Sequence, residues 1–405
     1  MRRHLLIVAD GRSPTTLSWI NNILTLDLEI SLISTFPCQQ PPGITHFHIL
    51  PVAFSKFSTR DIQKTRLRHQ QKSVSGIKRM VRKFAPVFQI LRYSLGPLTL
   101  QKYAQSLRQI VQDIQPDLIH ALRIPFEGML ASSNPDNIPF LVSTWGNDLT
   151  LHAKGSILMR RHTRRCLQRA DGLISDTHRD IRLAKDWGFD ADAPTLVVPG
   201  SGGVDLDAIQ RSAGFNESQY NIPLQGDWVV NPRGIRPGSV HQEAFIAAIP
   251  MVLAKHPDTL FLCPGLAGKE QIIKKVEKSG ISEKTFLLPR LSQRDVWGLM
   301  KRSSLFISPS SHDGTPNTLL EAMACGCFPI AGDIESLREW IDPGVNGYLV
   351  DPRNPESLAE AIIKALEFPE LRVKAARHNM KLIQTQADRR TTIPKIQNFY
   401  NRFIA

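Results

Sequence analysis

Short apolar runs recur along the chain, and most are followed by a stretch in which apolar residues return at spacings of three and four. The runs at 4–9, 30–33, 46–50, 117–120, 139–143, 170–176 and 196–199 predict the strands of a first domain. Those at 228–230, 259–264, 285–288, 305–307, 328–330 and 348–350 predict the strands of a second. Helical spacing through Trp19 and Leu24, over 100–114, 243–254, 294–301 and 334–341, and again over 388–404, places helices between and after them. Strands buried on both faces read as continuous apolar runs, and parallel neighbours need a helical crossover. The alternation therefore predicts an α/β chain with parallel, doubly wound sheets.

One segment, 308–332, carries the clearest chemistry: S-P-S-S-H-D-G-T-P-N-T-L-L-E-A-M-A-C-G-C-F-P-I-A-G. Thr315 suits an N-cap, Pro316 the first helical position and Gly326 the residue past the end. The helix start then lies at the carboxyl end of a strand, where free amides and the helix dipole favour an anion such as a phosphate. Asp313 and Glu321, eight residues apart, flank the amides of Gly314, Thr315 and Asn317. A purely local reading is also available, in which Thr318 and Glu321 form a capping box and Asp313 opens a turn.

Length and charge add to the picture. A chain of 405 residues suggests two domains of roughly 200 residues each. It contains no apolar run of about 18 residues, so nothing is expected to span a membrane. The apolar run after Met1, Arg2 and Arg3 ends at Asp10 and is expected to be a first strand, not a signal peptide, which points to the cytoplasm. Five scattered cysteines fit reduced thiols. Of the net charge of +13, the segment 51–103 holds +11, from twelve Lys and Arg against Asp61 alone. Within it Val74, Ile77, Val81, Phe84, Phe88 and Leu91 form an apolar stripe with basic residues off it, interrupted by Pro86. Such a helix suits an anionic membrane surface, or equally a helix packed on its own domain with a solvated basic face. No recognition motif or aromatic run accompanies the charge, so nucleic acid is not expected as a partner.

The segment 308–332 resembles the signature of retaining glycosyltransferases of the family 4 type, glycosyl transferases group 1, which have the GT-B fold. Residues 313–350 match the family in order and spacing; in the first half of the chain the likeness is diffuse. In the family both acids of the signature are usually Glu, and here the first is Asp313. The resemblance implies two Rossmann-like domains facing each other across a cleft. It suggests an acceptor domain over 1–200 with a basic insert at about 51–103, and a hinge over 201–226, within which residues 206–226 read as a polar linker. A donor-nucleotide domain over 227–387 and a last helix over 388–405 crossing back to the first domain would follow.

The same resemblance implies roles for residues. Glu321 would hydrogen-bond the ribose of a sugar nucleotide and Asp313 would contact the donor sugar. The amides of Gly314, Thr315, Asn317 and Thr318, with Pro316 among them in the chain, mark the loop holding sugar and diphosphate. An Arg with a Lys five residues on clamps the diphosphate in the family. Arg233 matches the Arg, Gly238 stands in place of the Lys, and Arg236 offers a second charge; solvated loop cations are the plain alternative. The loop of Gly11, Arg12 and Ser13 after the first strand would approach donor and acceptor. Trp145 replaces the His of a His-Gly-x-Asp motif, with Gly146 and Asp148 beside the cleft. The acid pairs Asp190 with Asp192 and Asp205 with Asp207 are common by chance, and neither a metal nor another cofactor is expected.

The expected function is retaining transfer of a sugar from a nucleotide-diphosphate sugar to an acceptor hydroxyl. Asp313, Glu321 and Arg233 would be central, and an envelope glycan or lipid-linked glycan would be the acceptor. The enzyme would be cytoplasmic and peripheral on the inner face of the membrane. A non-catalytic sugar-nucleotide-binding or membrane scaffold is the alternative, favoured by Trp145, Asp313 and the absent Lys and opposed by the intact acid at 321. Another GT-B chemistry, epimerisation or phosphorolysis, is a third.

Overall fold

The computed structural model describes residues 2–58, 91–135 and 137–404, so most of the basic segment and the stripe from Val74 to Phe88 lie outside the described residues. The chain divides into two compact units, Met1–Gly202 with Ile393–Ala405, and Gly203–Thr392. Each is built on one parallel sheet.

In the first unit, β1 (Arg3–Ala9), β2 (Leu28–Ser34), β3 (Phe47–Ile49), β4 (Leu118–Ala121), β5 (Phe140–Thr144), β6 (Gly172–Ser175) and β7 (Thr195–Val197) are ordered β3-β2-β1-β4-β5-β6-β7. Ile7 of β1 pairs with Leu32 of β2 and with His120 of β4. Along β1 the faces alternate: Leu6 and Val8 enter one apolar core, Leu5 and Ile7 the other. Both faces are therefore covered, which is why the strand reads as an unbroken apolar run. The order reverses between β1 and β4, so the loops leaving these two strands diverge and leave a crevice at their carboxyl ends.

In the second unit, β8 (Trp228–Val230), β9 (Leu260–Pro264), β10 (Thr285–Leu288), β11 (Leu305–Ser308), β12 (Phe328–Gly332) and β13 (Tyr348–Val350) are ordered β10-β9-β8-β11-β12-β13. Here Trp228 and Val230 face one core and Val229 the other. The order reverses between β8 and β11, which puts the segment 309–316 at the switch point of this sheet. Gly332, at the end of β12, lies against that segment; a Cβ there would meet the Ser310 carbonyl oxygen at 2.0 Å.

Two stretches differ from the expectation. Residues 206–226 are not a bare polar linker. Asp205 caps the short helix Leu206–Arg211 by accepting from the Ala208 amide at 2.9 Å, and Leu206, Ile209, Phe215 and Ile222 are buried in the second unit's core. The signature helix spans Asn317–Ala324, with Pro316 and not Thr315 in the N-cap position. Thr315 Oγ1 instead accepts from the Trp340 indole at 2.8 Å, since a buried indole N–H needs an acceptor. Gly326 does end the helix, at φ +89°, where a side chain is disfavoured.

The helix Arg389–Tyr400 begins in the second unit, and its residues from Ile393 belong to the first. Tyr400 is fully buried there, accepting from Trp19 Nε1 at 3.1 Å and meeting His120 Nδ1 at 2.8 Å. Among the described residues no helix is long and apolar enough to cross a membrane.

Candidate functional site

The switch point of the second sheet is assembled from the loops after β8 and β11. Asn231, fully buried, donates to Gln242 Oε1 at 2.8 Å, and its own Oδ1 accepts from the Arg233 amide at 3.2 Å. Gln242 Nε2 in turn donates to the Gly234 carbonyl at 2.8 Å. The following residues are stapled to the β11 loop: His241 N donates to Pro309 O and Ser311 N to Ser239 O, both at 2.8 Å. With both loops fixed, the Arg233 guanidinium, 5% exposed, forms an ion pair with Asp313 and donates through Nη1 to Thr318 Oγ1 at 3.0 Å. Asp313 also accepts from the Gly314 amide at 3.2 Å, and Ser336 Oγ donates to its carbonyl at 2.8 Å.

Three features suit this cluster to an anion. Arg233 Nε is a buried donor without a hydrogen-bond partner among the described residues, and such an atom costs about 1–3 kcal/mol while unpaired; Asn317 Oδ1, likewise unpaired, is an acceptor and suits a hydroxyl. Arg236 stands close enough that the Arg233 charge, more than burial, lowers its pKa, with Asp313 acting the other way. Two guanidiniums held together are each stabilised by an incoming anion. The third feature is the start of the helix Asn317–Ala324, which carries no side-chain cap.

Glu321 lies one turn beyond Thr318 and takes a different partner, accepting from Gln293 Nε2 at 2.5 Å. Neither it nor Thr318 caps the helix, so the capping-box reading does not describe this segment. Burial pushes the Glu321 carboxyl up to about 7, against Trp297 and Gln293 beside it, which favour the carboxylate. The structure thus brings Arg233, Asp313 and Thr318 into direct contact, with Arg236, Gly314 and Asn317 around them, and sets Glu321 apart on the same helix.

The remaining candidates belong to the first unit. Gly11 N donates to Ser34 Oγ at 3.1 Å, and Arg12 pairs with Asp10 at 3.0 Å while lying 3.7 Å from the Phe36 ring centre. Ser13 precedes the helix Pro14–Ile23 without a side-chain cap bond. These residues leave β1 at the switch point. Trp145 follows β5 and lies under the Arg123 guanidinium at 5.3 Å, and the Gly146 carbonyl accepts from Arg179 Nη2 at 3.0 Å.

Asp148 corrects the expectation that it lines a binding site. It is completely buried, and its carboxylate accepts from Arg123 Nη2 at 2.6 Å and from the Ile124 and Trp145 amides at 3.2 Å. Those donors leave no oxygen for a ligand, and the residue ties the end of β4 to the end of β5. Asp148→Ala is expected to destabilise the first unit by about 3–5 kcal/mol, the range for breaking a buried ion pair, measurable by denaturant unfolding. An unfolding midpoint close to wild type would refute the assignment.

Arg123 and Glu127, both after β4, were not expected from the sequence. Glu127 is buried, accepts from Thr35 Oγ1 at 2.7 Å, and has its pKa raised by burial against the Arg123 charge. Their only signal was position after a strand, which acquires meaning once β4 is known to neighbour β1. His120 is buried between Tyr400 and Ser143, and burial pulls it down to about 3, so it stays neutral. The acid pairs serve other ends: Asp205 meets Arg389 at 2.6 Å, Asp207 meets Arg390 at 3.3 Å, and Asp190 accepts from the Asp192 amide at 3.0 Å. Among the described residues no three His, Cys, Asp or Glu side chains form a group able to hold a metal.

Comparison with known proteins bears on the family and the fold. Residues 239–381 match the family described as glycosyl transferases group 1, and residues 87–177 match glycosyl transferase 4-like. An uncharacterized glycosyltransferase of Methanocaldococcus jannaschii is 27% identical over 271 residues, 65% of this chain and 70% of that protein. A lipopolysaccharide core biosynthesis mannosyltransferase of Rhizobium leguminosarum bv. viciae is 25% identical over 227 residues. That match spans 54% of this chain and 61% of the Rhizobium protein. Among solved structures, Anabaena HepE in complex with UDP shares the fold with a TM-score of 0.69 at 15% identity, over 99% of this chain and 100% of that one.

Proposed function

Because the chain belongs to the GT-B glycosyltransferases of the family 4 type, we propose that it moves a sugar from a nucleotide-diphosphate donor onto an acceptor hydroxyl with retention at the anomeric carbon. The observation that carries this reading is the Arg233, Asp313 and Thr318 cluster at the start of the helix Asn317–Ala324. The donor diphosphate takes the place of the Asp313 carboxylate against Arg233, with Arg236 and the amides of Gly314, Thr315, Asn317 and Thr318 completing its shell. Asp313, released, accepts from a hydroxyl of the donor sugar. As the bond from the anomeric carbon to the diphosphate breaks, charge grows on the departing oxygen, and donors already aimed there stabilise it without reorganising. The acceptor oxygen forms its bond on the same face, and its proton passes to the departing phosphate.

Glu321 is the group proposed to hold the ribose, and its pKa gives that role a pH signature. A carboxylate accepts from ribose hydroxyls; protonated, it loses much of that capacity. Donor affinity is therefore expected to fall as pH drops through about 7, the value to which burial raises this group. Titration calorimetry with a sugar nucleotide on either side of that pH checks it. The Glu321→Gln variant should bind weakly and show no such dependence; an identical pH profile in both proteins would remove Glu321 from the ribose site.

The acceptor is proposed to be a lipid-linked or envelope glycan, a reading supported by the Rhizobium relative and by the basic segment 51–103. The protein would then work at the inner face of the membrane. Pairing of Arg233 with Asp313 also fits a protein that binds sugar nucleotides without turning them over. Incubation with a panel of sugar nucleotides, read by mass spectrometry and paired with calorimetry, separates the two. Binding with no transfer or slow hydrolysis of any donor favours the non-catalytic reading.

A further inference from the structure

We infer that the helix Ile157–Arg169 is a docking face for anionic lipid, distinct from the signature site and adjoining the end of the basic segment 51–103. Its sequence, I-L-M-R-R-H-T-R-R-C-L-Q-R, carries five arginines and no acid. The inner stripe is Met159, Thr163, Cys166 and Leu167, all buried. At the complementary spacing, Ile157, Arg160, Arg161, Arg164, Arg165 and Gln168 are all exposed, so four guanidiniums line one outward face. Acids near the helix are engaged elsewhere: Asp171 pairs with Arg169 at the helix end, and Asp186 lies 3.9 Å from Arg182. No ion pair is formed by Arg160, Arg161, Arg164 or Arg165 among the described residues.

Charge alone does not choose between lipid, nucleic acid and acidic protein; the apolar residues beside it do. Ile157, at the head of the stripe, is 84% exposed. The N-cap Ser156 donates to the Tyr93 carbonyl at 2.7 Å, which brings the segment around residue 93 to the helix start. In that segment Leu91 and Leu95 are each 43% exposed, and Leu98 is 62% exposed. Exposed aliphatic side chains next to an arginine row match the boundary between lipid headgroups and acyl chains. Nucleic acid favours aromatic platforms or base-reading motifs, and these exposed positions carry neither. The inference deepens the proposal of a lipid-linked acceptor by naming the surface that meets the bilayer.

Flotation of the full chain with vesicles of phosphatidylcholine alone, and of phosphatidylcholine with phosphatidylglycerol, tests it. Binding is expected only to the anionic vesicles and should weaken with added salt. The combined variant Arg160→Gln, Arg161→Gln, Arg164→Gln and Arg165→Gln should lower partitioning on the order of a thousandfold, given the effect of each cation near the surface. Ile157→Ser alone should lower it by about tenfold, the loss of one buried aliphatic side chain. These positions are exposed, so both variants should keep the wild-type thermal midpoint and sugar-nucleotide affinity, and a failure of the donor site would appear separately in that affinity. Unchanged flotation of the four-residue variant would overturn the inference. So would equal binding to neutral vesicles, or duplex DNA competing the protein off anionic ones at equal phosphate.

Discussion

Arg233→Ala is expected to lower kcat/KM for sugar transfer by about 10²–10³-fold, the cost of removing one pre-aimed donor from a developing oxyanion. Arg233 is held by loop bonds from Asn231 and Gln242 that do not depend on a ligand, so its guanidinium is already in place when the diphosphate arrives. Its geometry also sets what lysine can do. A single ammonium cannot serve Asp313 and Thr318 together as the planar fork does, so Arg233→Lys should recover only part of the loss. Truncation leaves Asp313 without its cation, and some fall in thermal midpoint is expected. Arg233→Ala combined with Asp313→Ala separates the effects: the midpoint should recover and the activity should not. Recovery of activity in the double variant would mean that Arg233 acts only by neutralising Asp313.

Glu321→Ala is expected to lower donor turnover by about 10²–10⁴-fold while leaving the fold intact. Two hydrogen bonds from ribose hydroxyls to a carboxylate are each worth about 1.5–3 kcal/mol, which converts to that range. The stability side runs in the opposite direction. A carboxyl whose folded pKa is raised from 4.5 to about 7 binds more protons folded than unfolded between those values. Stability from this group is therefore present at low pH and is lost as pH rises through that window. Glu321→Gln carries no such slope, so its thermal midpoint should fall less than that of wild type between pH 4.5 and about 7. A variant that keeps full turnover would mean that the ribose is held elsewhere.

Much of this was legible in the chain because its strands are buried on both faces. β8, β10 and β13 fall where their apolar runs predict, and the two-sheet α/β architecture follows from their rhythm. The loop and helix after β11 were readable for a similar reason: proline, glycine and two acids at fixed offsets have local meaning. Features set by distant partners were not. Thr315 looks like a cap until Trp340, 25 residues on, claims its hydroxyl. Asp148 looks like a site residue by resemblance, and only the fold shows Arg123 and Ile124 converging on its carboxylate. The stretch 206–226 looks polar because its four core residues are too sparse to make a period. Arg123 and Glu127 gain significance from strand order, which no single run of sequence encodes.

The central claim is that a diphosphate binds at the start of the helix Asn317–Ala324 by displacing Asp313 from Arg233. A crystal structure of the protein with a nucleoside diphosphate tests it most directly. The account predicts phosphate oxygens on Arg233 and on the amides of Gly314, Thr315, Asn317 and Thr318, with Asp313 moved off Arg233 and the ribose on Glu321. A nucleotide bound elsewhere, with the pair of Arg233 and Asp313 intact, would contradict it.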